Sequence, residues 1–166
     1  MKHNKVVLNS SVIIALSKLK ILTKIANIFE KVMVPAAVYQ EVCIKGQGLP
    51  GDKDLRKAVK EGLILVKKVR NVVMVKELCS KLSAGEAEAI VLALEENADF
   101  IVLDDKLARK KARELGLNVI GTLRILKILY NKHLIDKQTL ISSIRELKRH
   151  GFWISNNIIS KILKEL

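Results

Sequence analysis

The chain has 166 residues, of which 49% are hydrophobic, so it can form one domain with a buried core, alone or with a short extension. This apolar content excludes a disordered chain, and no apolar run approaches the ~18–20 residues of a membrane span. The 30 lysines and arginines outnumber the 17 acidic residues. The resulting net charge of +13 favours a polyanion such as nucleic acid, rather than an anionic membrane surface, as the partner.

The cysteines and the first residues indicate the cellular compartment. Residues 1–8 carry charge without a long apolar stretch or a cleavage site, so we expect no secretion signal. Cys43 and Cys79 have no partner at zinc-site spacing, and we expect both to be reduced core residues. Reduced cysteines fit a cytoplasmic protein.

Short apolar runs alternate with helical patterns over the first two thirds of the chain. The brief, β-branched runs predict strands at 5–8, 32–34, 63–69, 100–103 and 119–120. Polar caps and helical periodicity predict helices at 12–16 (opened by residues 9–11), 22–29, 35–42, 55–61, 83–96 and 106–115. Residues 45–54 are rich in turn residues and predict a loop, whereas 72–82 fits either a ribbon or a short helix.

Helices between the strands predict the fold class. Such connections imply right-handed crossovers and a parallel sheet that is covered on both faces. From Thr122 onward the periodicity is helical, with breaks near 132–135 and 149–152. We therefore predict a three-layer α/β/α sandwich with a central parallel sheet over residues 1–121. A helical C-terminal extension, 122–166, is expected to pack on the same domain.

Oxygen-bearing side chains stand where a functional site is expected, because ligands bind such folds at the carboxyl ends of the strands. Some follow the first and fourth predicted strands, and others lie in the helices that precede or follow strands; they are Asn9, Glu41, Glu86, Glu88, Asp104 and Asp105. Oxygen ligands from separate elements suit a hard cation such as Mg²⁺. Such an ion assists phosphodiester hydrolysis by lowering the pKa of water. An acidic pocket in a basic protein thus fits the cleavage of a nucleic acid.

Each of these residues also has a purely structural interpretation. Residues 83–86 match the capping box, in which Glu86 bonds the Ser83 amide. Asn9 and either aspartate fit helix N-caps. Glu88 is favoured in a first helical turn by the helix dipole, and Glu41 fits a solvated helix position.

Two other motifs are set aside. The string GQGLPG at 46–51 matches the dinucleotide-binding pattern, yet it follows a predicted helix instead of a strand. We therefore predict no dinucleotide cofactor. The histidines lack the HExxH spacing of metalloproteases.

The order and spacing of the polar residues resemble the PIN-domain nucleases, including the VapC-type toxins of toxin–antitoxin pairs. The string VVLNSSVIIAL at 6–16 resembles the opening motif, in which an acid follows the first strand. Glu41 is placed like the second acid, Glu86 in GEAEAI like the third, and Asp104 in IVLD like the last. The resemblance runs from residue 5 to about 121. The NSS and GEAEAI strings also recur in a poorly characterised PIN branch with a similar helical tail.

The resemblance implies a metal-dependent endoribonuclease, with an antitoxin partner in the VapC-type case. The implied catalytic ligands of Mg²⁺ or Mn²⁺ are Asn9, Glu41, Glu86 and Asp104, with Asp105 and Glu88 in reserve. Asn9 stands where the family has an acid, so the site has one negative charge fewer and we expect weaker metal binding. The Ser11 hydroxyl is either near the phosphate, as in the family, or a helix-start hydroxyl. The alternative function is a catalytically weak or inactive PIN-like module that binds RNA or protein.

The C-terminal tail is basic and amphipathic. Residues 123–166 contain nine basic and three acidic residues, a net charge of +6. Their apolar faces suit docking within the chain or on a second subunit. A homodimer, common among PIN proteins, is expected, and capture of an antitoxin helix in a groove stays an alternative.

Overall fold

The structure, a computed structural model, describes residues 4–152 and 154–165. Residues 1–3, part of the stretch considered for a secretion signal, lie outside the described residues. The chain divides into two compact units, Met1–Thr122 and Leu123–Leu166. The first unit contains the sheet, and the second is helical. Packing of the helical extension on the core stays a prediction.

Five parallel strands form the sheet of the described residues, in the order β3-β2-β1-β4-β5. They are β1 (Lys5–Leu8), β2 (Lys31–Pro35), β3 (Leu65–Lys67), β4 (Phe100–Val102) and β5 (Val119–Ile120). β1 lies at the centre, where Val7 pairs with Met33 of β2 and with Ile101 of β4. Helices flank this sheet, so the predicted α/β/α sandwich is confirmed. Only β3 is clearly shorter than its predicted span, 63–69.

The helices of the first unit connect these strands. They are α1 (Ser10–Lys18), α2 (Ala36–Tyr39), α3 (Asp52–Lys60), α4 (Val72–Leu78), α5 (Ala84–Glu95) and α6 (Lys106–Glu114). The ambiguous segment 72–82 thus contains a helix, α4. The helix predicted at 22–29 is present as a 3₁₀-helix over Leu22–Asn27. α3 begins inside the predicted loop 45–54, because Asp52 and Asp54 suit a first helical turn.

The core lies on both faces of β1. Val7 belongs to a buried cluster that includes Ile101, Leu103 and three alanines of α5, namely Ala87, Ala89 and Ala93. Val6 and Leu8 alternate with it toward the opposite face, and they are equally inaccessible to solvent. Burial on both faces explains why this strand is a continuous apolar run.

The second unit contains α8 (Lys137–Arg149), α9 (Asn156–Lys164) and most of α7 (Thr122–Asn131). The predicted breaks are confirmed, since α7 ends at 131 and α8 at 149. Lys127 Nζ of α7 lies 2.5 Å from Glu165 Oε2, just past α9, and it lowers the pKa of this carboxyl. None of the helices in the described ranges combines the length and the apolar character that crossing a bilayer requires.

The two cysteines are free and differ in their surroundings. Cys43 is buried as predicted, and its thiol donates to the carbonyl oxygen of Asp52 at 3.6 Å. Burial raises the pKa of this thiol to about 11. Cys79 is exposed, so its prediction as a core residue is wrong. It caps the C-terminal end of the short helix α4.

Candidate functional site

The predicted site residues belong to three neighbouring strand exits and to the start of α5. Asn9 follows β1 directly, and Asp104 lies two residues beyond β4. Leu8 pairs with Val102, so these two exits are adjacent. Glu41 lies in a π-helical segment (Gln40–Lys45) that continues α2 after β2, the neighbour of β1 on its other side. Parallel strands bring these exits to one edge of the sheet.

Asn9 is a buried helix cap. Its side chain is 3% exposed, and its Oδ1 accepts from the Val12 amide at 3.2 Å and from the Ser11 hydroxyl at 3.0 Å. The N-cap interpretation of Asn9 is therefore confirmed. Because a carbonyl oxygen has two lone pairs, both are already engaged, and metal ligation by Asn9 stays a prediction.

Glu41 joins three elements through its carboxylate. Oε2 accepts from the Ser10 hydroxyl at 2.6 Å, and Oε1 accepts from the Gly85 amide at 2.9 Å. A Cβ added at Gly85 would lie 2.8 Å from Oε1 and 2.9 Å from Oε2. A glycine is therefore required at the start of α5 for this carboxylate to reach the backbone. Glu41 is half-buried and bonded, so a solvated helix position describes it poorly.

The two glutamates at the start of α5 face different partners. Glu86 Oε1 accepts from the Ser83 amide at 3.0 Å, and Ser83 Oγ accepts from the Glu86 amide at 3.2 Å. The capping box is thus present. Glu88 Oε1 accepts from the Ala37 amide of α2 at 3.1 Å. Glu88 therefore lies on the same helix–helix interface as Glu41, whereas Glu86 turns back on its own helix; metal ligation by either stays a prediction.

The two aspartates after β4 also divide their roles. Asp105 caps α6, since its Oδ2 accepts from the Ala108 amide at 2.9 Å. Asp104 accepts twice from Thr122, at 2.9 Å from the amide and at 2.5 Å from the hydroxyl. Thr122 is fully buried. Asp104 thus connects the exit of β4 to the last residue of the first unit.

Arg109 is a site neighbour that the sequence analysis did not single out. Its Nη1 donates to the Leu103 carbonyl at 2.8 Å. Burial lowers the pKa of this guanidinium, and Arg113 lowers it further, whereas Asp104 opposes both. A Cβ at Gly121 would lie 2.8 Å from Nη1 and 3.1 Å from Asp104 Oδ1. Gly121, which follows β5, is the sequence feature that could have indicated Arg109, because the absence of a side chain there permits this close approach.

The donor set fits a weakly held divalent cation and does not fit an all-protein cage. Among the described residues, no group of three or more His, Cys, Asp or Glu side chains could hold one ion. Both carboxylates at the strand exits are already hydrogen-bonded, although each oxygen keeps a second lone pair. Mg²⁺ binds through one or two carboxylates plus waters and substrate phosphates. Oxygen donors of this kind are compatible with an ion whose shell the substrate completes.

Comparison with known proteins identifies the family. The family model DUF3368, a PIN domain, matches residues 5–166. The chain belongs to the PIN-domain family. PIN domains usually have metal-dependent nuclease activity and generally use divalent metal ions. The family assignment made from the sequence is therefore confirmed, while the VapC-type assignment and the meaning of Asn9 stay predictions.

Two solved structures are similar to this chain. One is a PilT N-terminus domain protein from the archaeon Sulfolobus solfataricus P2, with 19% identity over 84% of this chain and 92% of that chain and a TM-score of 0.43. The other is a domain of a functionally unknown protein from Methanocaldococcus jannaschii DSM 2661, with 19% identity over 71% and 90% of the two chains and a TM-score of 0.48. No curated protein matches the sequence. The identification rests on the family model, which covers nearly the whole chain.

Proposed function

We propose that this PIN domain is a metal-dependent endoribonuclease. The observation that carries the proposal is the hydrogen-bonded chain from Ser10 through Glu41 to Gly85, which joins the exit of β1, the segment after β2 and the start of α5. The proposed ligands of one or two Mg²⁺ or Mn²⁺ ions are Asn9, Glu41, Glu86 and Asp104, with Glu88 and Asp105 in reserve. Glu88 Oε1 accepts from the Ala37 amide of α2, so Glu88 is the first substitute if Glu86 does not ligate the ion.

The residues of the chain orient the donors and hold the substrate. A divalent cation held at this site would lower the pKa of water and compensate negative charge on the phosphate. The Ser10 hydroxyl and the Gly85 amide fix the Glu41 carboxylate, and Thr122 fixes that of Asp104. The Ser11 hydroxyl, bonded to Asn9, lies at the same strand exit. The basic surface binds the RNA backbone, because lysines and arginines release counterions from phosphates.

A toxin role is the finer form of this proposal. The net charge of +13 supports RNA as the substrate. We propose an antitoxin as the protein partner, self-association into a homodimer, and the cytoplasm as the compartment, the last because both cysteines are free. A small open reading frame beside the gene would support the toxin role.

A second function has its own support. Both lone pairs of the Asn9 carbonyl oxygen are engaged, and no three-acid group is present among the described residues. These features favour a PIN-like module that binds RNA or protein and hydrolyses RNA slowly or not at all.

One experiment separates the two functions. Structured and unstructured RNAs are incubated with the full chain in Mn²⁺, in Mg²⁺ and in a chelator, with Glu41→Gln purified identically as a control for contaminating nucleases. Cleavage that requires the metal and is lost in Glu41→Gln supports the nuclease. Salt-sensitive binding without cleavage in any metal supports the binding module and overturns the first proposal.

A further inference from the structure

A cleft of about 240 Å³ lies between α4 and α6 of the first unit. Its walls include three leucines and three lysines, namely Leu78, Leu82, Leu107, Lys81, Lys110 and Lys111. We call it the α4–α6 cleft. None of the proposed metal ligands lines the cleft, but residues of both walls are close to them along the chain. Leu82 directly precedes the α5 cap Ser83, and Leu107 lies two residues after Asp105.

The charges of the cleft favour an anionic occupant. Lys111 pairs with Glu114 at 3.8 Å. Within the described ranges, neither Lys81 nor Lys110 forms an ion pair within 4.0 Å. Both ammonium groups are therefore available to pair with an anionic ligand. The lining also contains Glu77 and Glu114, so its three lysines leave the cleft a net charge of +1. The helix that forms one wall, α6, has five basic residues and one acidic residue among its nine.

The apolar part of the cleft offers a surface for a base or a ribose. Leu107 is 46% exposed, whereas Leu78 and Leu82 are buried. An exposed leucine between lysines is costly to leave in water and suits contact with a flat apolar group. The described lining contains no aromatic side chain, so bases would not stack here as they do on aromatic platforms.

We infer that the α4–α6 cleft holds a single-stranded segment of RNA next to the cleavage site. Its phosphates contact Lys81 and Lys110, and one base or ribose packs on Leu107. This inference rests on the proposed function, because it takes RNA as the substrate. Phosphate contacts position a strand without reading its sequence, so the cleft contributes affinity and little sequence preference.

The test measures RNA binding in the absence of catalysis. The full chain is titrated into labelled single-stranded RNA of mixed sequence in a chelator, and fluorescence anisotropy is followed between about 50 and 200 mM salt. The variant is the double substitution Lys81→Gln and Lys110→Gln. The matched control is Lys57→Gln with Lys60→Gln on α3, which removes the same charge from two exposed lysines of the same unit.

We expect the cleft variant to bind on the order of tenfold more weakly near 100 mM salt, with a slope of log affinity against log salt that is shallower by about two. The α3 control changes the affinity and the slope much less. Leu107→Ser is expected to weaken binding several-fold and to leave the slope unchanged, because it removes an apolar contact. Leu107→Ala, which keeps the helix propensity high, repeats this measurement in a chain that retains its fold.

The proposal is overturned if the cleft variant and the α3 control have equal affinity and slope. It is also overturned if Leu107→Ser alters only self-association, since the cleft would then be a protein-binding surface. The nuclease proposal fails in a different way. If no metal supports cleavage but RNA binding still requires Lys81 and Lys110, the nuclease proposal alone is contradicted. If the chain cleaves RNA but binds it equally well without these lysines, the cleft proposal alone is contradicted.

Discussion

The two sides of the candidate site hold their carboxylates by different means. On the β2 side, the donors to Glu41 within the described residues are neutral, the Ser10 hydroxyl and the Gly85 amide. On the β5 side, Asp104 accepts from Thr122 and also shares its surroundings with the half-buried Arg109. Among the described residues, no ion pair within 4.0 Å includes Glu41.

This difference separates two uses of a carboxylate. A carboxylate held by neutral groups keeps its whole negative charge for an external cation, while a nearby guanidinium compensates part of the charge of its neighbour. We therefore expect Glu41 to attract a divalent ion more strongly than Asp104 does. Asp104 also bonds Thr122, the last residue of the first unit. Four predictions test this contrast.

The largest effect on stability is expected for Gly85→Ala. Its Cβ would lie within 3 Å of both Glu41 oxygens, so the carboxylate would have to leave the Ser10 hydroxyl and the Gly85 amide. Loss of two hydrogen bonds and local overpacking costs about 2 kcal/mol of the free energy of unfolding. Urea denaturation measures this loss.

A double-mutant cycle isolates the cause. In a Glu41→Ala background the added methyl of Gly85→Ala has room, so the penalty should disappear. Gly121→Ala is the matched substitution on the other side, where the methyl meets the flexible end of Arg109. We expect its cost to be smaller. A larger cost for Gly121→Ala would reverse the contrast between the two sides.

Metal affinity is expected to change in opposite directions in two charge variants, one at the exit of β1 and one at the exit of β4. Asn9→Asp adds a negative charge beside Ser10, whose hydroxyl bonds Glu41, and should strengthen Mn²⁺ binding on the order of tenfold, about 1.4 kcal/mol. Asp104→Asn removes a charge and should weaken it by at least as much. Calorimetric titration with Mn²⁺ measures both without any need for cleavage. Unchanged affinity in Asp104→Asn would refute the assignment of Asp104 as a ligand.

A smaller loss is expected for Thr122→Val, which keeps the shape of the fully buried Thr122 and removes the hydroxyl that donates to Asp104. One hydrogen bond to a charged group is lost while the amide bond remains, so unfolding should become easier by about 1–2 kcal/mol. Thr122→Ser restores the donor. If Thr122→Ser is as destabilised as Thr122→Val in urea denaturation, the methyl group and not the hydroxyl is what matters.

Periodicity and strand exits were sufficient to predict the fold of the first unit. The apolar run of β1 and the alternation of strands with helices led to a parallel sheet, because a strand buried on both faces requires covering helices. Local hydrogen bonding was less predictable. The π-helical segment carries Glu41, whose carboxylate accepts from the amide of Gly85, a residue 44 positions away along the chain. Contacts over such a sequence distance are not visible in a local pattern.

The local contacts of the candidate site residues were predictable in part, whereas their roles in metal binding stay predictions. Cap signatures correctly indicated Asn9 and Ser83, because capping is a local interaction. The spacing does not show which of Glu86 and Glu88 contacts α2, since that contact depends on where α2 packs. Arg109 was hidden in a run of basic residues, and only the close approach at Gly121 distinguishes it. Cys79 is exposed because it ends the short helix α4, which is itself largely exposed. The exposure of this helix cannot be predicted from composition.

The smallest expected effect is a loss of stability at alkaline pH that originates at Cys43, on the Glu41 side of the site. Cys43 lies in the same π-helical segment as Glu41, and burial raises the pKa of its thiol from 9.0 to about 11. The folded state therefore favours the protonated thiol, which donates to Asp52. This contribution is complete below pH 9 and is lost as the pH rises toward 11. Urea denaturation at about pH 8 and about pH 10 should show a decline that Cys43→Ser reduces. Cys79→Ser, at the exposed cysteine, should leave it unchanged, and an equal reduction by both variants would show that the buried thiol is not the cause.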